Sequence, residues 1–284
     1  MLSTSGSNSE RDNIAVGRSE SDGYVDIHCH CLPAFDDGPS TLEQALALCR
    51  ALAADGVVSV IATPHQLGRY YRCNEADSIR KAVTALNGEL RNSGISLTVL
   101  AGADVRVDER ICQLLKDDKI LTLADGGKYL LLELPHNIFI DIEPLLADMA
   151  SMGVYAVISH PERHPVIAKK PELIWKWLEY PAYLQITAGS LMGEFGTAAR
   201  KCAWELLDSG LACIVATDAH NMDSRRPLMK AAFSRISERL GTAVSRLTCI
   251  TNPSRIIKGL DIVPIGLEQI SNSGQKEVLY GRNP

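Results

Sequence analysis

Several signatures of common protein classes are missing from this sequence. No uninterrupted run of about 18 apolar residues occurs, so a membrane span is not expected. None of the eight cysteines forms a Cys-x2-Cys pair, which argues against a zinc ribbon, and no Gly-x-Gly-x2-Gly follows the first apolar segment, which argues against a dinucleotide-binding turn. The formal net charge of -5 provides no general attraction for nucleic acid, so any anion site must be local.

The two ends of the chain also lack recognisable signals. Residues 1–23 are rich in Ser, Asn and Gly without the apolar segment of a secretory signal, so we expect a disordered leader. Residues 264–284 are expected to form a flexible tail. The cysteines lie mostly within apolar stretches and are expected to be buried thiols of a reducing compartment, which favours the cytoplasm. No linker divides residues 24–263, so they are predicted to form one domain.

Seven apolar segments alternate with helix-like patterns through this domain. They lie at residues 24–30, 57–62, 97–100, 128–133, 154–158, 183–187 and 213–216. Strands that are apolar at nearly every position are buried on both faces, as in a parallel sheet covered by helices. The sequence therefore predicts an α/β fold. A single closed or nearly closed TIM-like β/α barrel is the first choice, and a doubly wound open sheet is the alternative.

Histidines and carboxylates follow these strands where each one ends. His28 and His30 are two residues apart, and side chains at i and i+2 of a strand project to the same side, so the two imidazoles are expected to converge. Including one residue of the first loop, the candidates are His28, His30, Asp37, His65, Asp104, Glu133, His160, Asp218 and His220. Because the carboxyl ends of barrel strands meet at one face, we expect this set to surround one mouth.

The shared position of these residues favours a metal site with more than one ion. Any one of them alone would be an ordinary loop, turn or surface residue. The carboxylates, gathered in one cavity, would repel one another unless divalent cations were present. Mixed His and carboxylate ligation without Cys suits Mn, Fe, Zn or Mg. His136 and His164 lie in irregular segments and are expected to be ordinary loop residues.

Two neighbouring divalent ions commonly bridge a hydroxide and clamp an in-line displacement at phosphorus. A phosphate substrate also requires local positive charge, which Arg163 and Arg225 can supply because each follows a candidate ligand closely. Arg226 is expected to be a solvated surface charge. Candidates for the lining of the substrate entrance are Arg69, Tyr70 and Tyr71.

Six short motifs make the chain resemble one known superfamily. They are Asp-Ile-His-Cys-His at 26–30, Asp-Asp-Gly-Pro at 36–39, Thr-Pro-His at 63–65, Leu-Leu-Glu-Leu at 131–134, Ser-His-Pro-Glu-Arg at 159–163 and Asp-Ala-His-Asn-Met-Asp-Ser-Arg at 218–225. From residue 24 to residue 261 the chain is similar to PHP (polymerase and histidinol phosphatase) proteins. It looks most like the bacterial PHP-type protein-tyrosine phosphatases that act on tyrosine autokinases of capsule and exopolysaccharide synthesis.

This resemblance implies a distorted (β/α)7 barrel with two or three divalent ions at its C-terminal mouth. Mn is placed first, with Fe, Zn or Mg as alternatives. The implied metal ligands are His28, His30, Asp37, His65, Glu133, His160, Asp218 and His220, and the implied phosphate contacts are Arg163 and Arg225. One position departs from the family pattern, because Asp104 stands where the family usually has the longer Glu. Asp104 is retained as the ninth candidate ligand.

The function implied by the resemblance is that of a phosphoric monoester hydrolase, a metal-dependent protein-tyrosine phosphatase that attacks phosphotyrosine with metal-bound hydroxide. Its partner would be a phosphotyrosine protein, a bacterial tyrosine kinase that it regulates, with no nucleic acid and no membrane insertion. We expect no Cys-x5-Arg phosphate loop and hence no phosphocysteine intermediate. The alternatives are a small-molecule phosphoesterase such as a histidinol-phosphate phosphatase, and a non-catalytic barrel that binds or regulates.

Overall fold

The computed structural model describes residues 23–266, and the predicted leader up to residue 22 and the predicted tail from residue 267 lie outside the described residues. The described strands are β1 (Tyr24–Cys29), β2 (Val57–Ala62), β3 (His65–Gln66), β4 (Thr98–Ala101), β5 (Asp104–Arg106), β6 (Tyr129–Glu133), β7 (Tyr155–Ser159), β8 (Ala182–Thr187) and β9 (Ala212–Ala216). The described α-helices are α1 (Leu42–Ala54), α2 (Ala76–Asn92), α3 (Ile111–Lys116), α4 (Glu143–Ser151), α5 (Ala188–Met192), α6 (Gly196–Asp208), α7 (Met229–Leu240), α8 (Thr242–Arg246) and α9 (Asn252–Ile257).

The strands form two sheets, in the orders β1-β2-β4 and β3-β5-β6-β7-β8-β9, and the pairs within them are parallel. The predicted α/β fold with parallel strands is therefore confirmed. The strands predicted at 57–62 and 97–100 are present as β2 and β4, and each is followed by a short strand that was not predicted, since β3 begins after Thr63 and Pro64 and β5 after Gly102 and Ala103. Proline has no N–H to donate to the ladder. At Gly102 a Cβ would lie 2.6 Å from Cγ2 of Ile61, so this close approach requires glycine.

The first and last strands meet, although they belong to different sheets. The Asp218 N–H donates to the His28 carbonyl at 2.8 Å, and the His30 N–H donates to the Ala219 carbonyl at 2.9 Å. The carboxyl ends of β1 and β9 therefore lie side by side. The motifs His28-Cys29-His30 and Asp218-Ala219-His220 are brought together there.

Helices cover the sheets with their apolar faces, and the strands between them are almost wholly buried. In α1, Leu48 and Leu52 are buried on one side, and the Thr41 hydroxyl accepts the Gln44 N–H at 3.3 Å to cap the start of the helix. The covered strands can therefore be apolar at nearly every position, as the sequence predicted.

Two segments depart from regular α-helix. The segment after Lys170 forms a 3-10 helix (Pro171–Glu179). Gly193 has a φ of +92°, a left-handed conformation that favours glycine, and it separates α5 from α6. Ile262 and Ile265 are still buried beyond α9. Among residues 23–266, no helix has the length and apolar character needed to cross a membrane.

Candidate metal centre

The structure brings all nine predicted metal ligands together at the carboxyl ends of the strands. Their ligand atoms form four overlapping groups, and within each group the atoms lie within 4.8 Å of one another. The groups are His30 with Asp37, His65 and His220; His28 with His30 and Asp104; His28 with His160 and Asp218; and His65 with Asp104 and Glu133. Shared members connect the groups into one nine-residue cluster. Metal binding by this cluster stays a prediction.

The two histidines of β1 are oriented by partners that the sequence did not reveal. Nδ1 of His28 lies 2.9 Å from Oε1 of Gln185, and Nδ1 of His30 lies 2.6 Å from Oδ2 of Asp36. If both Nδ1 atoms carry the proton and donate it to these oxygens, the two Nε2 lone pairs face each other at 3.2 Å. Such lone pairs repel, and a cation or a proton between them relieves the repulsion. Acceptors that fix the far side of a ligating imidazole are typical of metal sites.

The end of β9 supplies a carboxylate with two distinct oxygens. Oδ1 of Asp218 lies 3.2 Å from Nε2 of His28 and 3.4 Å from Nε2 of His30. Its Oδ2 accepts hydrogen bonds from Arg163 and Arg225. Asp218 therefore faces the imidazoles with one oxygen and both predicted phosphate-binding arginines with the other.

His220 and Asp37 mark the open side of the cluster. Nδ1 of His220 donates to the Asp218 carbonyl at 3.0 Å, which leaves Nε2 free of hydrogen bonds and 3.4 Å from Oδ1 of Asp37. His65 Nε2 lies 3.5 Å from the same oxygen. The Asp37 side chain is 42% exposed, whereas the side chains of Asp218 and His220 are almost fully buried, so a substrate would enter past Asp37.

His65, Asp104 and Glu133 form the remaining corner of the cluster. Nδ1 of His65 lies 3.4 Å from Oδ2 of Asp104 and 3.6 Å from Oε2 of Glu133. Burial and, next, the Asp104 carboxylate raise the pKa of Glu133 to about 7. The repulsion between two buried carboxylates is the physical reason why a divalent cation would stabilise this corner. Although one methylene shorter than Glu, Asp104 belongs to two of the four groups.

The turn after β7 carries both a candidate ligand and an arginine. His160 has a φ of +35° and precedes a 3-10 turn (Pro161–Arg163) that brings Arg163 back to Asp218. Glu162 is buried in this turn, where its Oε1 accepts the Thr187 N–H at 2.9 Å and the Ser190 hydroxyl at 2.7 Å. The buried carboxylate thus ties the turn to the end of β8.

Sequence analysis had considered some of the other residues near the cluster and had missed one of them. Arg106 was missed, and its guanidinium contacts Oε2 of Glu133 at 3.1 Å. His136 and His164, which were expected to be ordinary loop residues, belong to none of the four groups and line a small cavity with His160. Arg226 is exposed and lies 3.6 Å from a glutamate carboxylate, as expected of a surface charge.

The Cys-x5-Arg spacing of phosphocysteine enzymes does occur once, from Cys249 to Arg255. These residues form a π-helical turn (Leu247–Thr251) and the start of α9, and not a phosphate loop. Cys249 is fully buried, and burial raises its pKa to about 12. Arg255 donates to the backbone carbonyl of Asp261 instead of pointing at the thiol. The segment therefore lacks a reactive thiolate.

The donor set of the cluster fits metal ions. Four of its buried polar atoms have no hydrogen-bond partner in the described structure: His65 Nδ1, Asp104 Oδ2, Asp218 Oδ1 and His220 Nε2. Buried polar atoms are rarely left without a partner, and these four belong to the groups whose ligand atoms converge. The fold and the cluster define a class, α/β proteins with a candidate polynuclear metal centre at their strand ends, an arrangement that metal-dependent hydrolases use.

Comparison with known proteins identifies the family within this class. The sequence model described as capsular polysaccharide synthesis, CpsB/CapC, matches residues 24–258, and the chain belongs to this family. It is 36% identical over 219 residues to the tyrosine-protein phosphatase YwqE of Bacillus subtilis (strain 168), an alignment that covers 77% of this chain and 85% of the relative.

One solved structure agrees with this assignment, and a second shares the fold. One from a study of YwqE from Bacillus subtilis and CpsB from Streptococcus pneumoniae, described as unique metal-dependent tyrosine phosphatases, has a TM-score of 0.81 at 33% identity and covers 85% of this chain and 97% of that chain. The phosphotriesterase homology protein from Escherichia coli has a TM-score of 0.54 at 14% identity, covering 83% of this chain and 99% of that chain. The second likeness concerns the fold alone.

Proposed function

We propose that the chain is a metal-dependent protein-tyrosine phosphatase, a phosphoric monoester hydrolase that acts on phosphotyrosine in a protein. The observation that carries this proposal is the placement of Arg163 and Arg225 against Asp218, at the edge of the nine-residue cluster. Membership of the CpsB/CapC family and the activity named for its relatives support the same chemistry.

The two arginines would hold the phosphoryl group. Their guanidinium groups reach the same oxygen of Asp218, so a phosphate seated at this edge would meet both sets of N–H donors. Phe195 packs against Arg163, with its ring centroid 4.2 Å from the guanidinium carbon, and orients that group. When bound, divalent ions would supply an activated water and Lewis-acid stabilisation of the transferred group.

Phosphotyrosine suits a site in which no side chain is assigned to protonate the leaving group. A tyrosine hydroxyl has a pKa of about 10, so it departs as the phenolate more readily than an alkyl alcohol departs as the alkoxide. Tyr70 stacks on His65 with a centroid distance of 5.5 Å, which places an aromatic surface beside the cluster for a substrate ring.

The cofactors in this proposal are two or three divalent ions, with Mn first and Fe, Zn or Mg as alternatives. Mixed imidazole and carboxylate donors without thiolate support this choice. The four overlapping groups offer enough donors for more than one ion, and His28, His30, His65 and Asp104 each belong to two groups. These shared residues would bring the ions close to one another.

We also propose that the seven strand units form a distorted seven-stranded barrel within a single phosphatase domain at 24–263. The hydrogen bonds that join the ends of β1 and β9 and the continuous six-stranded sheet β3-β5-β6-β7-β8-β9 support closure. In such a barrel the cluster occupies the C-terminal mouth, which is where the active sites of TIM-like barrels lie.

The protein substrate in this proposal is a bacterial tyrosine kinase of capsule or exopolysaccharide synthesis, encountered in the cytoplasm. The family description and the names of the relatives support this partner. Neither nucleic acid nor membrane insertion has a role in the proposal, and the net charge of -5 is in keeping with the first of these.

Phosphate release after chelation and re-addition of metal tests the proposal. The substrates are a tyrosine-phosphorylated kinase tail and histidinol phosphate, and the control is His30→Ala, which should abolish turnover of both while the protein stays folded. We expect Mn²⁺ to restore release from the kinase tail. Activity confined to histidinol phosphate would overturn the proposal in favour of a small-molecule phosphoesterase, and a fully active His30→Ala variant would overturn the site.

A further inference from the structure

The loop between β3 and α2 lies beside the open side of the cluster. It contains four consecutive residues, Arg69, Tyr70, Tyr71 and Arg72, which together are called the basic rim. Arg69 lies 4.7 Å above the ring of Tyr70, and its Nη2 is 3.5 Å from Oδ2 of Asp37. Tyr70 in turn stacks on His65. These contacts attach the start of the rim directly to the cluster.

The rim then extends away from the cluster to the turn after β5. Tyr71 is 40% exposed and packs against two guanidinium groups, with Arg72 5.2 Å and Arg110 4.3 Å from its ring centroid. Arg110 also bonds to the carboxylate of Asp108 at 2.7 Å, so its charge is already paired. The aromatic ring is thus the link between two segments that are far apart in the sequence.

Arg72 carries a positive charge that neither Asp37 nor Asp108 neutralises. It is exposed and forms no ion pair with any residue in the described range 23–266, and its φ of +69° is unusual for a residue with a side chain. Arg69 donates to the Tyr70 hydroxyl at 2.8 Å and lies 3.5 Å from the Asp37 carboxylate, and its side chain is 69% exposed. A chain with a net charge of -5 therefore presents two exposed guanidinium groups beside its candidate active site.

The reach of these groups matches the residues next to a phosphotyrosine. Arg72 is two residues beyond Tyr70, so its Cα lies at most about 7 Å from that of Tyr70. A substrate residue one or two positions from the phosphotyrosine lies at a similar distance from it. A peptide whose phosphotyrosine ring enters beside Tyr70 would therefore bring its neighbouring side chains to Arg69 and Arg72.

We propose that this basic rim, made of Arg69, Tyr70, Tyr71 and Arg72, selects protein substrates with an acidic side chain next to the phosphotyrosine. The inference rests on the proposed phosphatase function. A guanidinium group binds carboxylates through paired N–H donors, and exposed charge pairs contribute chiefly to selectivity and association rate. The strongest contribution is assigned to Arg72, since neither Asp108 nor Asp37 neutralises it.

The test compares two phosphotyrosine peptides that differ only in having Glu or Gln on both sides of the phosphotyrosine. With the metal-loaded protein, kcat/KM should be about fivefold higher for the Glu peptide, as expected of one or two exposed charge pairs, and the preference should shrink as salt is raised. Arg72→Gln should bring the ratio close to one, and Arg72→Glu should invert it. Because the ratio is taken within each variant, a general effect on catalysis cancels.

Arg50→Glu is the matched control, since Arg50 is exposed on α1, about 12 Å along the helix from its site-side end. It should keep the preference of the unaltered protein. Equal kcat/KM for the two peptides in the unaltered protein would overturn the inference, as would stronger competition by a single-stranded oligonucleotide than by the Glu peptide. Failure of the phosphatase proposal is distinguishable, because then neither peptide nor p-nitrophenyl phosphate would release phosphate with any metal.

Discussion

Asp36 holds His30 in place through a 2.6 Å contact between its Oδ2 and Nδ1 of the imidazole, and the same oxygen accepts the His65 N–H at 3.0 Å. One carboxylate thus joins the ends of the first two strand units. Burial would raise the pKa of Asp36, but the His30 imidazole and the Gly38 N–H hold it at about 2. A Cβ at Gly38 would lie 2.4 Å from the His30 carbonyl oxygen, so the turn that carries Asp36 requires glycine.

Asp36→Asn is expected to weaken metal binding about 10- to 100-fold, because an outer carboxylate fixes the orientation and basicity of a ligating imidazole. Titration of the chelated protein with Mn²⁺ measures the change. Asp223→Asn is the control, since Asp223 is an exposed aspartate in the loop after β9 and should have no effect. Unaltered affinity in Asp36→Asn would show that His30 does not depend on this contact.

The candidate ligands could be predicted because parallel strands must bring their carboxyl ends to one edge, and the order of the chain alone reveals which residues stand there. Gln185 shows why the contacts that orient these ligands could not be predicted. It lies inside β8, 157 positions from His28, and only the folded sheet brings its Oε1 to the imidazole. Asp36 precedes a predicted ligand, Asp37, and its adjacency was a signal that could have been used.

The short strands β3 and β5 and the position of His164 have a similar explanation. The apolar pattern predicts strands at 57–62 and 97–100, but the breaks that separate β2 from β3 and β4 from β5 depend on the missing N–H of Pro64 and on close packing at Gly102. His164 was judged from its irregular segment. Its position beside His160 depends on the tight 3-10 turn between them, which the spacing of the two histidines does not encode.

Ser159 is expected to position the shortened ligand Asp104. Its hydroxyl donates to Oδ1 of Asp104 at 3.2 Å, which leaves Oδ2 directed at the histidines. Ser159→Ala should therefore weaken the binding of one metal ion about tenfold. Asp104→Asn, which removes the charge itself, should lower the number of ions retained after dialysis by at least one.

Elemental analysis of dialysed protein and metal titration measure both effects. Ser151→Ala is the matched control, because the Ser151 hydroxyl is exposed on α4 and donates to a backbone carbonyl. A full complement of ions in Asp104→Asn would contradict the assignment of Asp104 as a ligand.

Arg163→Lys and Arg225→Lys should each lower kcat/KM for a phosphotyrosine peptide by about 10²- to 10³-fold, because a lysine cannot reproduce the paired N–H donors aimed at the transferred group. Both variants should also weaken inhibition by inorganic phosphate while keeping the bound metal. Arg226→Lys, at an exposed arginine in the loop before α7, should change neither quantity. If inhibition by phosphate were unaffected in Arg163→Lys and Arg225→Lys, neither arginine would hold the phosphate.

Removal of metal should destabilise the protein, because the buried carboxylates of Asp104, Glu133 and Asp218 would then repel one another. A ligand present at about 100 times its dissociation constant stabilises the native state by about 2.7 kcal/mol. For a domain of this size each kcal/mol corresponds to about 2–4 °C, so Mn²⁺ should raise the Tm of the chelated protein by about 5–10 °C. His30 belongs to two of the four ligand groups, so the His30→Ala variant should lose most of this Tm shift while still unfolding cooperatively in chelator. Thermal unfolding of both proteins, with and without Mn²⁺, makes the comparison, and an equal metal-dependent shift in the two would remove His30 from the ligand set.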